Sequence, residues 1–141
     1  MSLVFWDTNL FVYLIEGNPE FLPRVVGIWQ NMRRRGDQLC TSSLTMGEAL
    51  VAPIKAGNLE LANAYRSRFL SSRIRVLDFD KHASEHYARV RASTNVSRAD
   101  AMQLACAAQA GVDLFLTNDK HLAKTNVSGI QFIASLESCP L

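Results

Sequence analysis

Four acidic residues stand where the chain would build a metal site. Asp7 directly follows the first predicted strand, and Asp119 follows the fourth after two polar residues. Ligands of open α/β sheets bind beyond the carboxyl ends of the strands, so both acids are expected on one rim. Glu48 and Asp100 belong to helices that lead away from that rim. Carboxylates gathered there repel one another unless cations intervene, and Mg²⁺ or Mn²⁺ prefers oxygen ligands.

Two of these acids are predicted on apolar helix faces, where a charge without a partner is costly. Glu48 shares its predicted face with Leu44 and Val51, and Asp100 shares its face with Leu104. A carboxylate cluster that holds one or two divalent ions can activate a water and stabilise an in-line displacement at phosphorus. The pattern therefore predicts metal-dependent chemistry on phosphate esters.

Each acid also has an ordinary structural interpretation. Asp7 fits the cap of the following helix, and Asp100 fits a capping box with Ser97. Glu48 near a helix start would interact favourably with the helix dipole, and Asp119 is typical of a turn. It is the convergence of all four on one rim that favours the metal site.

The hydrophobic pattern predicts one domain of alternating strands and helices. Strands are predicted at residues 3–6, 38–41, 74–77, 112–116 and 130–133. Helices are predicted at residues 10–15, 19–35, 42–56, 59–70, 80–92 and 97–110, with a short helix from residue 118. This alternation predicts an α/β fold, a three-layer α/β/α sandwich with a mostly parallel sheet of about five strands. No repeat or linker divides residues 1–141, which indicates a single domain.

Composition narrows the function classes. The chain is 48% hydrophobic with a net charge of +2, which excludes wholesale disorder and a strongly basic wrapper of nucleic acid. Arginine provides 11 of its 15 cations and favours bidentate contacts to phosphate. Neither a signal peptide nor a membrane span is predicted, and the three cysteines lack zinc spacing, so we expect a cytoplasmic protein with reduced thiols.

Other metal and phosphate chemistries fit the sequence less well. His82 and His86 are four residues apart but lack a third zinc ligand. A phosphoacceptor signalling domain would need adjacent acids after the first strand, and its acceptor would have to be Asp78, after the third. Haloacid-dehalogenase-like phosphatases need Asp-x-Asp where this chain has Asp-Thr-Asn from Asp7.

The four acids belong to motifs spread over nearly the whole chain. These are Val4-Phe5-Trp6-Asp7-Thr8-Asn9, Ser42-x-x-Thr45-x-x-Glu48, Ala99-Asp100-Ala101 and Leu116-Thr117-Asn118-Asp119-Lys120-His121. In this order they resemble the PIN-domain ribonucleases, and among those the VapC-type toxins of bacterial and archaeal toxin–antitoxin pairs.

The resemblance implies a PIN-like fold in which a catalytic quartet binds Mg²⁺ or Mn²⁺, namely Asp7, Glu48, Asp100 and Asp119. It implies supporting roles for Thr8, Asn9, Thr117 and Asn118. It further implies hydrolysis of RNA, a homodimer, and a VapB-like protein antitoxin that inserts a segment at the active site. Gly47 and Pro53 depart from the family pattern around Glu48. A housekeeping PIN ribonuclease in RNA processing and a non-catalytic RNA-binding PIN domain are the alternatives.

Two further features concern binding partners. Arg98 lies two residues before Asp100 and is the predicted contact to a substrate phosphate. Residues 11–15, with Phe21 and Leu22, are more hydrophobic than two amphipathic helices require, and they predict a groove for an antitoxin helix in addition to core packing.

Overall fold

A sheet of five parallel strands forms the centre of the computed structural model, which describes residues 1–141. The strands are β1 Leu3–Trp6, β2 Gln38–Ser42, β3 Ile74–Leu77, β4 Leu114–Thr117 and β5 Phe132–Ser135. They lie in the order β3-β2-β1-β4-β5, and every neighbouring pair is parallel. The predicted α/β class and five-stranded sheet are confirmed.

Six α-helices connect the strands. They are α1 Thr8–Glu16, α2 Leu22–Arg35, α3 Ser43–Lys55, α4 Leu59–Phe69, α5 Lys81–Ser93 and α6 Arg98–Ala110. Two helices join each of the first three strands to the next one in the chain, which supplies the long crossovers that parallel strands need. A single 3₁₀ helix, Leu122–Lys124, lies between β4 and β5. No helix combines the length and the apolar character required to cross a membrane.

The core lies on both faces of the sheet because successive side chains of a strand point in opposite directions. Val4 and Trp6 pack with apolar residues of α1, α2 and α4 on one face. Phe5 packs with α5 and α6 on the other face, and its ring stacks on Phe115 with 4.7 Å between the centroids. The result is the predicted three-layer sandwich.

The chain reverses its direction of travel across the sheet at β1. From β1 it moves outward through β2 to the edge strand β3, then returns to place β4 on the other side of β1. Such a switch point opens a crevice at the carboxyl ends of the two central strands. Asp7 follows β1 directly, so the fold places this acid in the crevice.

Several predicted boundaries were wrong. The last strand begins at Phe132 instead of residue 130, because the N–H of Ile130 donates to the carbonyl of Val127 in a turn. The first helix begins at Thr8 and the second at Leu22, and the helix expected from residue 118 is the 3₁₀ helix. Helix α3 continues through the buried Pro53 to Lys55, one residue short of its predicted end at residue 56.

Candidate active site

Asp7 is a half-buried carboxylate at the carboxyl end of β1. Its Oδ1 accepts the backbone N–H of Thr8 at 2.8 Å, and its Oδ2 accepts the hydroxyl of Thr117 at 2.8 Å. Burial raises the pKa of Asp7, the two hydrogen bonds counter part of that rise, and the charges of Asp100 and Asp119 add to it. Asp7 is therefore held in a fixed orientation, and its negative charge is unfavourable in the protein alone.

Asp119 reaches the same rim from the end of β4. Its backbone N–H donates to the Thr117 hydroxyl at 3.1 Å, so one hydroxyl group joins Asp119 to Asp7. Its Oδ1 accepts the N–H groups of His121 and Leu122 at 2.9 and 3.2 Å, which is the turn role that the sequence offered as an alternative. Its Oδ2 has no partner in the protein and stays available to a ligand.

Asp100 comes to the rim on the first turn of α6. The hydroxyl of Ser97 caps this helix by accepting the Asp100 N–H at 3.1 Å. Asp100 is half-buried on the face of Leu104 and Ala107, both of which are fully buried, as predicted. Its carboxylate has no hydrogen-bond partner. Asp100 and Asp119 line one open cleft of about 340 Å³, whose other lining residues come from the α5–α6 loop and from the 3₁₀ helix and its flanking residues.

Glu48 lies at the edge of this cluster, and its predicted apolar face is wrong. The buried face of α3 consists of Thr45, Ala49 and Pro53, whereas Val51 is 61% exposed and Glu48 itself is exposed. Helix α3 has more apolar residues than the core buries, so the sequence pattern alone assigned the buried face to the wrong side of the helix. Partial burial raises the pKa of Glu48, and repulsion by two acids of the cluster raises it further.

No cation of the protein neutralises the cluster. The three ion pairs lie elsewhere and join Arg35 to Asp37, Arg89 to Glu85, and Lys120 to Glu137. No group of three or more acidic, histidine or cysteine side chains is arranged to hold a metal ion as it stands. Mg²⁺, however, usually takes only one or two protein carboxylates, with water and substrate phosphate as its other ligands. The clustered carboxylates offer only oxygen ligands and carry negative charge that no cation of the protein balances, which fits Mg²⁺.

The predicted supporting residues divide into two groups. Thr117 contacts the acids directly, and Thr8 binds Asp7 through its backbone N–H. The side chain of Asn118 donates to the hydroxyl of Tyr13 at 2.9 Å and makes no hydrogen bond to any of the acids. Asn9 is exposed without a hydrogen bond from its side chain.

Sequence reasoning missed a buried polar cluster behind the acids. Gln103 donates through Nε2 to the hydroxyls of Thr45, at 2.6 Å, and Thr8, at 3.3 Å. Its Oε1 accepts the hydroxyl of Ser42. The only signal in the sequence is a glutamine three residues after Asp100, in a run of small apolar residues.

The remaining candidates lie outside the cluster or at its border. Arg98 is the exposed first residue of α6 and has no ion-pair partner. His82 and His86 lie on α5 without a third ligand, in line with the sequence. Asp78 follows the edge strand β3, two strands away from β1, and Asp80 caps α5 by accepting the N–H of Ala83 at 2.8 Å.

The fold and the site together define a parallel α/β domain with an acidic cluster at its switch point. The sequence matches the PIN domain family over residues 4–127, and this chain belongs to that family. A search of curated protein sequences gave no significant match.

Solved structures with the same fold include VapBC2 from Rickettsia felis bound to a DNA fragment from its promoter. It has 17% sequence identity and a TM-score of 0.74, over 94% of this chain and 98% of that chain. Another is VapC20 from Mycobacterium tuberculosis, a toxin that cleaves the sarcin–ricin loop. It has 17% identity and a TM-score of 0.73, over 89% of this chain and 97% of that chain. VapBC-1 from nontypeable Haemophilus influenzae has 18% identity and a TM-score of 0.66, over 96% of this chain and 99% of that chain.

Proposed function

We propose that this chain is a divalent-metal-dependent endoribonuclease and works as the toxin of a VapBC-like toxin–antitoxin pair. The observation that carries the proposal is the convergence of Asp7, Asp100 and Asp119 at the switch point without a cationic partner. These three residues would hold Mg²⁺ or Mn²⁺, with Glu48 contributing directly or through water. Family membership supports the nuclease assignment.

The chemistry is hydrolysis of a phosphodiester bond in RNA. A divalent ion would lower the pKa of a water molecule and offset charge on the scissile phosphate. Water adds to phosphorus and one P–O ester bond breaks, which leaves a phosphomonoester end and a hydroxyl end. The Thr117 hydroxyl would keep Oδ2 of Asp7 in its ligating orientation, as hydrogen-bond partners of ligating carboxylates do. Arg98, at the start of α6, would contact a phosphate of the substrate.

The toxin role rests on the structural neighbours, which are VapBC and VapC proteins. A small apolar pocket of about 70 Å³ at Phe11, Leu14 and Ile15, with Arg68 and Arg73 at its border, would receive apolar side chains of the antitoxin. Most of the hydrophobic surface of residues 11–15 and 21–22 packs against the core instead. We further propose that the protein acts in the cytoplasm as a homodimer.

Purified protein and a mixture of structured RNAs would test the nuclease assignment. We expect cleavage with Mn²⁺ or Mg²⁺, none with EDTA, and loss of at least 100-fold in rate for Asp7→Asn and Asp100→Asn. Asp78→Asn is the matched control, since Asp78 also follows a strand but lies two strands from β1. Normal cleavage by the two site variants would overturn the assignment. Labelling of Asp78 by acetyl phosphate would instead support the phosphoacceptor alternative.

A second experiment separates a toxin from a housekeeping ribonuclease. Inducible expression of the wild type should arrest growth and produce new RNA ends, and expression of Asp7→Asn should do neither. Co-expression of the protein encoded by the neighbouring gene should restore growth. New RNA ends without growth arrest would favour the housekeeping ribonuclease.

A further inference from the structure

A buried hydrogen-bonded cluster centred on Gln103 lies behind the acidic site. Gln103 is 2% exposed, and Thr45 and Ser42 are fully buried. The amide uses both of its ends: Nε2 donates to the hydroxyls of Thr45 and Thr8, and Oε1 accepts the hydroxyl of Ser42. One side chain of α6 therefore binds the first residue of α1, the first turn of α3 and the last residue of β2.

Helices α3 and α6 each carry one of the acids close to the residue that takes part in this hydrogen bonding. Thr45 precedes Glu48 by three residues on α3, and Gln103 follows Asp100 by three residues on α6. Residues three apart are neighbours on a helix surface. The third partner of the amide is the residue directly after Asp7. The hydrogen bonds of Gln103 thus fix the relative positions of the three segments that carry these acids.

We infer that Gln103 is a positioning residue that sets the spacing of Asp7, Glu48 and Asp100, an inference that rests on the proposed function. These acids repel one another, so nothing in their own interactions holds them together. A neutral amide resists that repulsion without adding a charge, and its hydrogen bonds to Thr45 and Ser42 are strengthened by burial in a medium of low dielectric constant. The position of Asp119 is set by the hydrogen bond of its backbone to Thr117, and Gln103 does not affect it.

Glutamine is the side chain that this geometry requires. Asparagine is one methylene shorter and fails to reach the hydroxyls on all three of the other elements. Methionine fills a similar volume but removes the amide partner of two buried hydroxyls, those of Thr45 and Ser42, and of the half-buried hydroxyl of Thr8. Gln103→Met therefore removes the hydrogen bonds of the amide while it keeps the packing. Thr45→Val removes the bond between Gln103 and Thr45, together with a 3.4 Å bond that the Thr8 hydroxyl donates to Thr45, with little change in shape.

The test compares Gln103→Met and Thr45→Val with Gln109→Met, an exposed glutamine on the same helix. Mn²⁺ binding is measured by the paramagnetic resonance signal of free Mn²⁺, and kcat and KM are measured on one RNA. We expect 10- to 100-fold weaker Mn²⁺ binding and a lower kcat for the first two variants, with KM for RNA within twofold of wild type. Their combined effect should be smaller than the product of the single effects, because both break the same bond.

Thermal unfolding identifies a variant that fails to fold, in which case Thr45→Val alone decides. Wild-type Mn²⁺ affinity and kcat in a folded Gln103→Met or Thr45→Val protein would overturn the inference, as would equal losses in Gln109→Met. If the wild type binds Mn²⁺ without cutting RNA, the proposed function fails and the Mn²⁺ affinities still decide the role of Gln103. If the wild type does not bind Mn²⁺, both fail.

Discussion

At the scale of single residues, the ligand positions of the site are set by which carboxylate oxygens already accept hydrogen bonds from the protein. Both oxygens of Asp7 accept a hydrogen bond, one oxygen of Asp119 does, and the carboxylate of Asp100 accepts none. The Thr117 hydroxyl is the shared element, because it donates to Asp7 and accepts from the backbone of Asp119. The protein thus orients two acids by one group and leaves ligand positions open on all three.

Removing this hydroxyl should weaken metal binding more than it weakens folding. In Thr117→Val the Asp7 carboxylate loses its orientation, and we expect the Mn²⁺ concentration for half-maximal cleavage to rise about 10-fold. Thr117→Ser keeps the hydroxyl and should stay within about twofold of wild type. Titration of the cleavage rate with Mn²⁺ measures the effect. Equal behaviour of the valine and serine variants would show that the hydroxyl has no such role.

The raised pKa of Asp7 makes its charge a cost to the metal-free fold. Because the folded protein binds this proton more tightly than the unfolded chain, stability is lost as the pH rises from the ordinary pKa of Asp through the raised one. Asp7→Asn should therefore raise the Tm at pH 7 in EDTA by a few degrees, on the order of 1 kcal/mol. The gain should vanish well below the ordinary pKa, where Asp7 is protonated in both states. Calorimetry across pH measures it, and a lower Tm for Asp7→Asn at pH 7 would contradict it.

At the scale of elements, local sequence was enough to place the carboxyl ends of β1 and β4 but not to assign the buried face of α3. The buried runs of β1 and β4 are bounded by turn-forming residues, so the acids that follow them were placed correctly. The face of α3 depends on what the rest of the chain offers it, and Glu48 was therefore assigned to the wrong face. The role of Gln103 was out of reach, because its threonine partners lie 58 and 95 residues away in the sequence.

Two glycines should respond in opposite ways to the same substitution. Gly129 has φ +98°, and a Cβ there would lie 2.9 Å from the carbonyl oxygen of Ala108 on α6. Gly129→Ala should destabilise the protein by about 2 kcal/mol or more. Gly47 lies within α3, beside Glu48, with nothing within 4 Å of a Cβ. Gly47→Ala should stabilise the helix by about 0.5–1 kcal/mol without loss of cleavage.

Denaturant unfolding measures both free energies under one set of conditions. Gly27→Ala, a second helical glycine with open space, is the control for Gly47→Ala. Loss of cleavage with intact stability in Gly47→Ala would show that the family departure at this position serves to aim Glu48. An unchanged free energy for Gly129→Ala would show that the loop before β5 moves away from α6 at little cost.

At the scale of the whole molecule, the position of the arginines matters more than the net charge of +2. Arg33, Arg34 and Arg35 end α2 just before β2 begins, so they lie at the amino edge of the sheet, opposite the acids. Arg98 begins α6 two residues before Asp100, at the carboxyl edge. In the proposed nuclease, an RNA strand bound at the acidic cluster would therefore lie closer to Arg98 than to the three arginines at the other edge.

This asymmetry predicts different salt dependence for two arginine variants. Arg98→Gln should raise KM for RNA several-fold, leave kcat nearly unchanged, and reduce the slope of log KM against log salt by about 0.7, the value for one phosphate contact on a single strand. Arg33→Gln removes the same charge at the far edge and should leave all three quantities as in wild type. Cleavage assays from 50 to 200 mM salt, roughly the range where such contacts are most visible, measure the slopes. Equal slopes for the two variants would mean that RNA responds to total charge, whereas a fall in kcat for Arg98→Gln would place this residue at the scissile phosphate.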